Sequence, residues 1–283
     1  MTTQPEASPA KTLNGFNILL MGPAGTGKTH SIGTLLDAGL EVFYLGLENG
    51  LESLLGYFTD KGKPIPSSLH WHIQEPPKAS FLEMIDAATK INTLSLDLLS
   101  KMSDPNRGKH NDFIQLLTTL HNFPDDRTGE LFGPVNTWEP TRVLVVDGMA
   151  GISRAAMSLV VGGKPVKSQA DWGIAQDQVE KLVRMLCDSC PCHFVLIAHV
   201  ERETDAILGG VKLMVSTLGR ALAPKIPSLF SDVILTVREG TKWTWDTGSI
   251  LADVKARNMP FASGQLPSFT PLVEKWKSRG GVV

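Results

Sequence analysis

The chain has 283 residues, of which 42% are hydrophobic and 20% are charged, and its formal net charge is −2. This composition predicts a globular protein of one large or two small domains, and the near-neutral charge excludes a general electrostatic attraction to nucleic acid. No apolar segment near the amino terminus has the pattern of a signal peptide or a membrane span, so we expect a cytoplasmic protein without a membrane partner.

Apolar runs and helical periodicity alternate along most of the chain. The uninterrupted apolar run at 16–21 is typical of a strand that is buried on both faces. Further strands are predicted at 41–48, 68–73, 141–148, 193–200, 231–240, 241–246 and 249–256. Helices are predicted at 28–37, 81–101, 112–122 and 168–190.

This alternation predicts an α/β fold with a mainly parallel sheet flanked by helices. The last strands follow one another directly, so they predict an antiparallel edge. We expect a disordered tail at 1–14, a core at 15–277 and a flexible carboxyl terminus at 278–283. Residues 58–140 are too many for one crossover and predict a mainly helical insertion.

The segment GPAGTGKT between the first strand and the first helix matches the phosphate-loop pattern G-x-x-x-x-G-K-[ST] at every fixed position. Such a loop converges backbone N–H groups on phosphate oxygens at the positive end of a helix. The lysine reaches the β- and γ-phosphates of ATP, and the hydroxyl after it ligates Mg²⁺. The residues predicted to bind ATP are Gly22, Pro23, Ala24, Gly25, Thr26, Gly27, Lys28, Thr29 and His30.

Two carboxylates end neighbouring predicted strands. Asp147 ends the run RVLVVD and is predicted to share the Mg²⁺ with Thr29, although an aspartate there could also cap a turn. Gly148 stands where many phosphate-loop ATPases carry a glutamate that orients the attacking water. Glu48, at the end of the second strand, can supply that carboxylate instead, unless it is a solvated turn residue.

Three further polar residues are candidates for catalysis together with Lys28. His199 ends the run VLIAHV and could contact the γ-phosphate, or it could be a satisfied structural histidine. Lys255 and Arg257 alternate in KAR, which suits cations inserted into a neighbouring protomer's site. The same two side chains could instead form a solvated basic edge.

Cys187, Cys190 and Cys192 lie together in CDSCPCH. Their spacing is compatible with a zinc site, but ligands on so short a loop have difficulty in surrounding the ion tetrahedrally. Small buried thiols at a helix-to-strand junction are the alternative that we favour.

The order of phosphate loop, Glu48, Asp147, His199 and KAR resembles that of the RecA-like ATPases. It is most like the short RecA-like ATPases of tailed phages that are linked to single-strand annealing and recombination, which act in the host cell cytoplasm. The resemblance implies that Glu48 is the catalytic base and that His199 takes the place of a γ-phosphate-sensing amide. It also implies that Lys255 and Arg257 act in trans within a ring or filament.

The same resemblance implies that the loops after Asp147 and His199 line a path for DNA. Six cations in these loops are candidates to contact a single strand: Arg154, Lys164, Lys167, Arg202, Lys212 and Arg220. Solvated loop charges are the alternative. The net prediction is an ATP- and Mg²⁺-dependent ATPase that acts on single-stranded DNA in recombination or replication, with a single-strand-binding protein as a possible partner. A small-molecule or nucleoside kinase and a nucleotide-dependent assembly or packaging accessory are the alternatives.

Overall fold

The computed structural model describes residues 15–75, 80–104, 107–204 and 209–283. The predicted disordered tail at 1–14 lies outside these ranges. The strands are β1 (Asn17–Met21), β2 (Glu41–Gly46), β3 (Leu69–Ile73), β4 (Arg142–Asp147), β5 (His193–Ala198), β6 (Val200–Thr204), β7 (Val211–Val215), β8 (Asp232–Glu239) and β9 (Lys242–Asp246). The helices are α1 (Lys28–Ser31), α2 (Gly33–Asp37), α3 (Leu51–Thr59), α4 (Phe81–Thr93), α5 (Leu96–Lys101), α6 (Asp112–His121), α7 (Met149–Val161), α8 (Gln169–Asp188) and α9 (Thr270–Ser278).

A seven-stranded sheet forms the centre of the molecule, in the order β3-β2-β4-β5-β1-β8-β9. Its strands are parallel except β9, which pairs antiparallel with β8. Strands β6 and β7 form a separate antiparallel hairpin. The predicted α/β fold with a mainly parallel sheet and an antiparallel edge is therefore confirmed. The parallel register brings the carboxyl ends of β1, β2, β4 and β5 to one edge, where ligands of open α/β sheets bind.

Both faces of the sheet are covered, which explains the uninterrupted apolar runs. Alternate residues of a strand point to opposite faces. Leu19 and Phe43 join the core on the side of α7 and α8. Ile18, Leu20 and Tyr44 join the core on the side of α2, α3 and α9. No helix in the described part of the chain has the length and apolar character that a membrane span needs.

Five element predictions need correction. The predicted helix at 28–37 is interrupted at Ile32, and the one at 81–101 is interrupted before Ser95, whose hydroxyl accepts from Leu98 N and caps α5. The stretch after Asp147 is helix α7 rather than a loop, because Met149, Ile152 and the residues one turn apart from them pack into the core. The stretch after His199 begins as the β6–β7 hairpin rather than as a mobile loop.

The predicted strand at 249–256 is wrong, because its backbone pairs at single points with two different strands, β7 and β8. Only single bridges, Leu213 to Ala252 and Val233 to Lys255, form there. Immediately afterwards, the Asp232 carboxylate accepts hydrogen bonds from the backbone N–H groups of Arg257, Asn258 and Met259, and from the Asn258 amide. Residues 257–259 are therefore held at the start of β8 by hydrogen bonds to the Asp232 side chain and not by pairing between strands.

The segment predicted as an insertion is mainly helical, but it begins with β3, which is the edge strand of the main sheet. Helix α4 buries none of its residues. At the carboxyl terminus, Trp276 Nε1 donates to Val282 O at 3.2 Å, so the last residues fold back on α9.

Candidate nucleotide-binding site

The segment Gly22–Gly27 connects β1 to α1 at the carboxyl edge of the sheet. Gly25 and Gly27 have φ of 74° and 78°, a backbone region that side chains other than glycine strongly disfavour. A Cβ at Gly22 would collide with the Thr236 side chain on β8. These three glycines therefore let the loop turn tightly and bring its backbone N–H groups towards one point, as a bound phosphate requires.

Lys28 lies inside this loop and is 6% exposed. Its Nζ donates to Gly22 O at 2.9 Å and to Pro23 O at 2.7 Å. Burial lowers the pKa of Lys28 to about 8, and the charges of Asp147 and Glu48 oppose that shift. A phosphate in the loop would favour the ammonium form, because an opposite charge at short range raises a lysine pKa.

The remaining predicted loop residues lie where the motif places them. Pro23, Ala24 and Gly25 form its exposed outer turn, and Thr26 is buried with its hydroxyl 2.6 Å from Thr236 Oγ1. His30 instead faces α3, where its ring packs against Tyr57 at a centroid distance of 5.1 Å. Its contact with a nucleotide stays a prediction.

Thr29 and Asp147, the predicted metal ligands, are in direct contact. Thr29 Oγ1 donates to Asp147 Oδ2 at 2.7 Å, and Tyr44 OH donates to the same oxygen at 2.9 Å. Burial raises the pKa of Asp147, and these two hydrogen bonds oppose the rise. The pKa of Tyr44 is raised, first by burial and then by the charge of Asp147, so Tyr44 remains a donor.

A hydroxyl and a carboxylate beside a phosphate loop form an oxygen donor set that fits Mg²⁺, which usually keeps several waters and binds substrate phosphates. Thr29 and Asp147 would hold the ion. When bound, Mg²⁺ neutralises charge on the phosphates and stabilises the charge that develops during transfer. Sequence reasoning missed Tyr44, because its role depends on β2 and β4 being neighbours in the sheet.

Gly50 is a second residue that the sequence did not single out. A Cβ at this position would lie 2.5 Å from Tyr44 OH and 2.6 Å from Asp147 Oδ2. The turn that follows β2 therefore approaches the metal-binding pair so closely that no side chain fits between them.

Glu48 lies beside the end of β4, as predicted. Its Oε2 is 3.5 Å from His199 Nε2, and its Oε1 is 3.7 Å from Arg154 Nη1. The structure thus brings Glu48 and His199 together at the edge that carries the phosphate loop. It also adds Arg154, which was predicted only as a nucleic-acid contact.

The position of Glu48 accounts for Gly148. The backbone of Gly148 is extended, with φ −156° and ψ 165°, a conformation open to any residue. A Cβ there, however, would lie 2.7 Å from Glu48 Oε2 and 2.9 Å from Glu48 Cδ. The Glu48 carboxylate occupies the space beside Gly148, so a side chain at this position would displace it.

We predict that Gly148→Ala displaces the Glu48 carboxylate and lowers kcat for ATP hydrolysis by about tenfold or more, since small misplacements of catalytic groups cost up to ~10²-fold. ATP affinity should change little, because Gly148 is not part of the phosphate loop. Steady-state kinetics and a fluorescent-nucleotide titration measure the two effects. Gly173→Ala is the matched control, because a Cβ at Gly173 in α8 meets no atom within 4 Å. An unchanged kcat for Gly148→Ala would contradict the placement of Glu48.

Trp243 of β9 lies against the phosphate loop and was also missed by the sequence analysis. Its Nε1 donates to Gly25 O at 3.2 Å, and its ring lies 3.7 Å from a Cβ built on Gly27. The Arg238 guanidinium lies 5.9 Å from the ring centroid. The antiparallel edge of the sheet therefore supports the outer side of the loop.

Lys255 and Arg257 are not brought to the phosphate loop of their own chain. Lys255 pairs with Val233 and Arg257 N with Asp232, at the amino end of β8, whereas the loop follows the carboxyl end of β1. Lys255 Nζ donates to Phe230 O at 2.7 Å and to Ser228 O at 3.3 Å. The exposed Arg257 side chain makes no ion pair or hydrogen bond with any described residue.

Five of the six cations predicted to bind nucleic acid line one of two depressions, and Lys212 lines neither. Arg154, Lys164 and Lys167 line a groove of about 380 Å³ between α7 and Ser216–Leu218, here called the α7 groove. Arg202 and Arg220 line a second depression beside the β6–β7 hairpin. Four of the six face a carboxylate: Arg154 lies near Glu48, Lys164 pairs with Asp171, Lys212 with Asp253 and Arg220 with Glu203.

Cys187, Cys190 and Cys192 are buried in the core where α8 leads into β5. Burial raises the pKa values of all three thiols, to about 11 for Cys190 and about 12 for Cys192. Over the ranges that the structure describes, no group of three His, Cys, Asp or Glu side chains is placed to hold a metal ion. Packing is the role that the structure supports.

A parallel sheet with a phosphate loop after β1 and a buried aspartate after β4 defines an α/β P-loop NTPase. The model of an AAA domain family matches residues 14–263, so the chain belongs to the AAA domain family. Membership of this family makes it a nucleotide-binding ATPase in the general sense. A comparison with curated proteins finds no match.

Proposed function

We propose that the protein is a RecA-like ATPase of phage type that acts on single-stranded DNA in recombination or replication. The observation that carries this proposal is the position of Glu48. It follows β2, lies beside Asp147 and is 3.5 Å from His199, the residue that leads into the β6–β7 hairpin. A catalytic carboxylate on β2 and a polar residue after β5 are what the resemblance to RecA-like ATPases implies.

In this proposal, Gly22–Thr29 bind ATP with Mg²⁺, and Glu48 orients the attacking water towards the γ-phosphate. His199 senses the γ-phosphate and contacts the Glu48 carboxylate at Oε2. Loss of that phosphate changes the contact between His199 and Glu48, and the hairpin that begins at Val200 carries the change outwards.

The ATP site is completed by a neighbouring protomer. A head-to-tail interface joins two different faces of the same molecule, as in a ring or filament. Arg257 lies at the amino end of the sheet, exposed and unpaired within the described residues, which suits insertion into the next protomer's site. Because Lys255 Nζ is engaged by two backbone carbonyls, Arg257 is the better candidate for the trans-acting cation.

Single-stranded DNA is proposed to bind along the α7 groove, where three cations line one channel without a carboxylate among its lining residues. Phosphate contacts of this kind are independent of sequence, and an oligomer multiplies them. A single-strand-binding protein that delivers DNA to the assembly is a proposed partner.

The test is ATP hydrolysis by the purified protein with and without single-stranded oligodeoxythymidylate, with Lys28→Ala as the blank. We expect DNA to stimulate turnover by about tenfold or more, within the usual range of coupling between two sites. Turnover that is unchanged by DNA would contradict the proposal. A screen of small-molecule phosphate acceptors would then test the kinase alternative, and nucleotide-dependent assembly without turnover would favour the accessory alternative.

A further inference from the structure

The α7 groove has the features of a site for phosphodiester groups. Arg154, Lys164 and Lys167 contribute positive charge, although Lys164 also pairs with Asp171. Ser153, Ser216 and Thr217 contribute hydroxyls, of which Ser216 Oγ donates to Glu201 Oε1 and Thr217 Oγ1 donates to Gly219 O. Ser153 is only 7% exposed, and its Oγ has no hydrogen-bond partner among the described residues. A buried hydroxyl without a partner is rare, because its desolvation is not repaid within the fold. Its oxygen is covered by neighbouring atoms, so a ligand oxygen in the groove could pair with it only after the Ser153 side chain rotates.

Arg154 belongs to the groove and to the ATP site at once. It lines the groove, while its Nη1 lies 3.7 Å from Glu48 Oε1. The side chain is 67% exposed, so packing does not hold the guanidinium in one place. An exposed ion pair at this distance is weak. A phosphodiester oxygen can form a shorter, charge-assisted hydrogen bond with the Arg154 guanidinium. It can therefore compete with the Glu48 carboxylate for this group.

We propose that Arg154 is a positioning residue that couples the two sites, an inference that rests on the proposed function. Without a ligand in the α7 groove, Arg154 holds the Glu48 carboxylate and competes with water for its oxygen. A phosphodiester in the groove draws Arg154 away, and Glu48 Oε1 becomes free to accept a hydrogen bond from the attacking water. Turnover of ATP rises because the base is released, without a movement of the backbone.

The test compares Arg154→Gln with the wild type, with and without single-stranded oligodeoxythymidylate. Removal of the guanidinium frees Glu48 permanently, so DNA-free turnover should rise by up to about fivefold, the most that an exposed ion pair can restrain, and stimulation by DNA should fall by the same factor. Lys181→Gln is the matched control, since Lys181 is an exposed cation of α8 that pairs with Asp177 and lines neither groove. It should behave as the wild type does.

A merely structural role for Arg154 would not raise DNA-free turnover, and Arg154→Lys, which keeps the charge, should restore part of the restraint. Melting temperatures verify that the variants are folded. If the wild type is stimulated by DNA while DNA-free turnover of Arg154→Gln is unchanged or lower, the coupling is overturned and the proposed function stands. A wild type that is indifferent to DNA overturns both.

Discussion

Replacing Lys28 with alanine is expected to reduce ATP turnover by about 10³-fold, the upper end of what the loss of one preorganised electrostatic group costs. The ammonium lies inside the phosphate loop, 2.9 Å from Gly22 O and 2.7 Å from Pro23 O, where it can turn to the phosphates of ATP. Release of inorganic phosphate at saturating ATP and a fluorescent-nucleotide titration measure turnover and affinity.

The fold should survive this change. Burial lowers the pKa of Lys28 to about 8, so the folded state disfavours the charged ammonium relative to the unfolded chain. Its removal therefore relieves one unfavourable burial while losing two hydrogen bonds to carbonyls. Lys63→Ala, at an exposed position after α3, is the control. Near-normal turnover by folded Lys28→Ala protein would show that the phosphate loop is not the site of hydrolysis.

Replacing Glu48 with glutamine is expected to stop hydrolysis, with a loss of about 10²- to 10⁴-fold, but to leave ATP bound. Glutamine keeps the size of the side chain, and therefore the fit beside Gly148, but it cannot accept a proton. The contrast with Lys28→Ala is the informative result. Lys28→Ala is expected to weaken ATP binding as well as turnover, whereas Glu48→Gln is expected to lower only the rate of hydrolysis. Isothermal titration with ATP and Mg²⁺ separates them.

The same variant tests the arrangement between protomers. Arg257→Ala alone should bind ATP and fail to hydrolyse it. In a mixture with Glu48→Gln protein, some interfaces combine Glu48 of one chain with Arg257 of the next. At equal amounts and with random assembly, about a quarter of the interfaces are intact, so about that share of wild-type turnover should return. A mixture that stays inactive would count against completion of the site in trans.

The central part of the site was predictable because it follows from strand ends. Gly22–Thr29, Asp147 and Glu48 each follow an apolar run, and the carboxyl ends of parallel strands meet at one edge. Contacts that depend on which strands are neighbours were not predictable in this way. Tyr44 reaches Asp147 only because β2 and β4 are adjacent, and Trp243 reaches Gly25 only because β9 closes the edge beside β8.

Two errors have identifiable physical causes. The resemblance to RecA-like ATPases implied a loop after Asp147, although Met149, Ile152 and Val160 already have the spacing of one helical face, and this signal could have revealed α7. The alternation in SILADVKA suggested a strand, but this stretch forms only single bridges to β7 and β8, and the residues just after it, 257–259, bond to Asp232, which is 25 to 27 positions earlier in the chain. Local patterns carry no information about such a partner.

The collision between Glu48 and any side chain at position 148 also limits how such a site can change over generations. The space beside β4 holds one carboxylate, supplied here by the neighbouring strand. A glutamate at 148 and Glu48 would compete for this place, so one of the two carboxylates would have to move. The two positions therefore compete for one place, and a side chain at 148 would change where the Glu48 carboxylate lies.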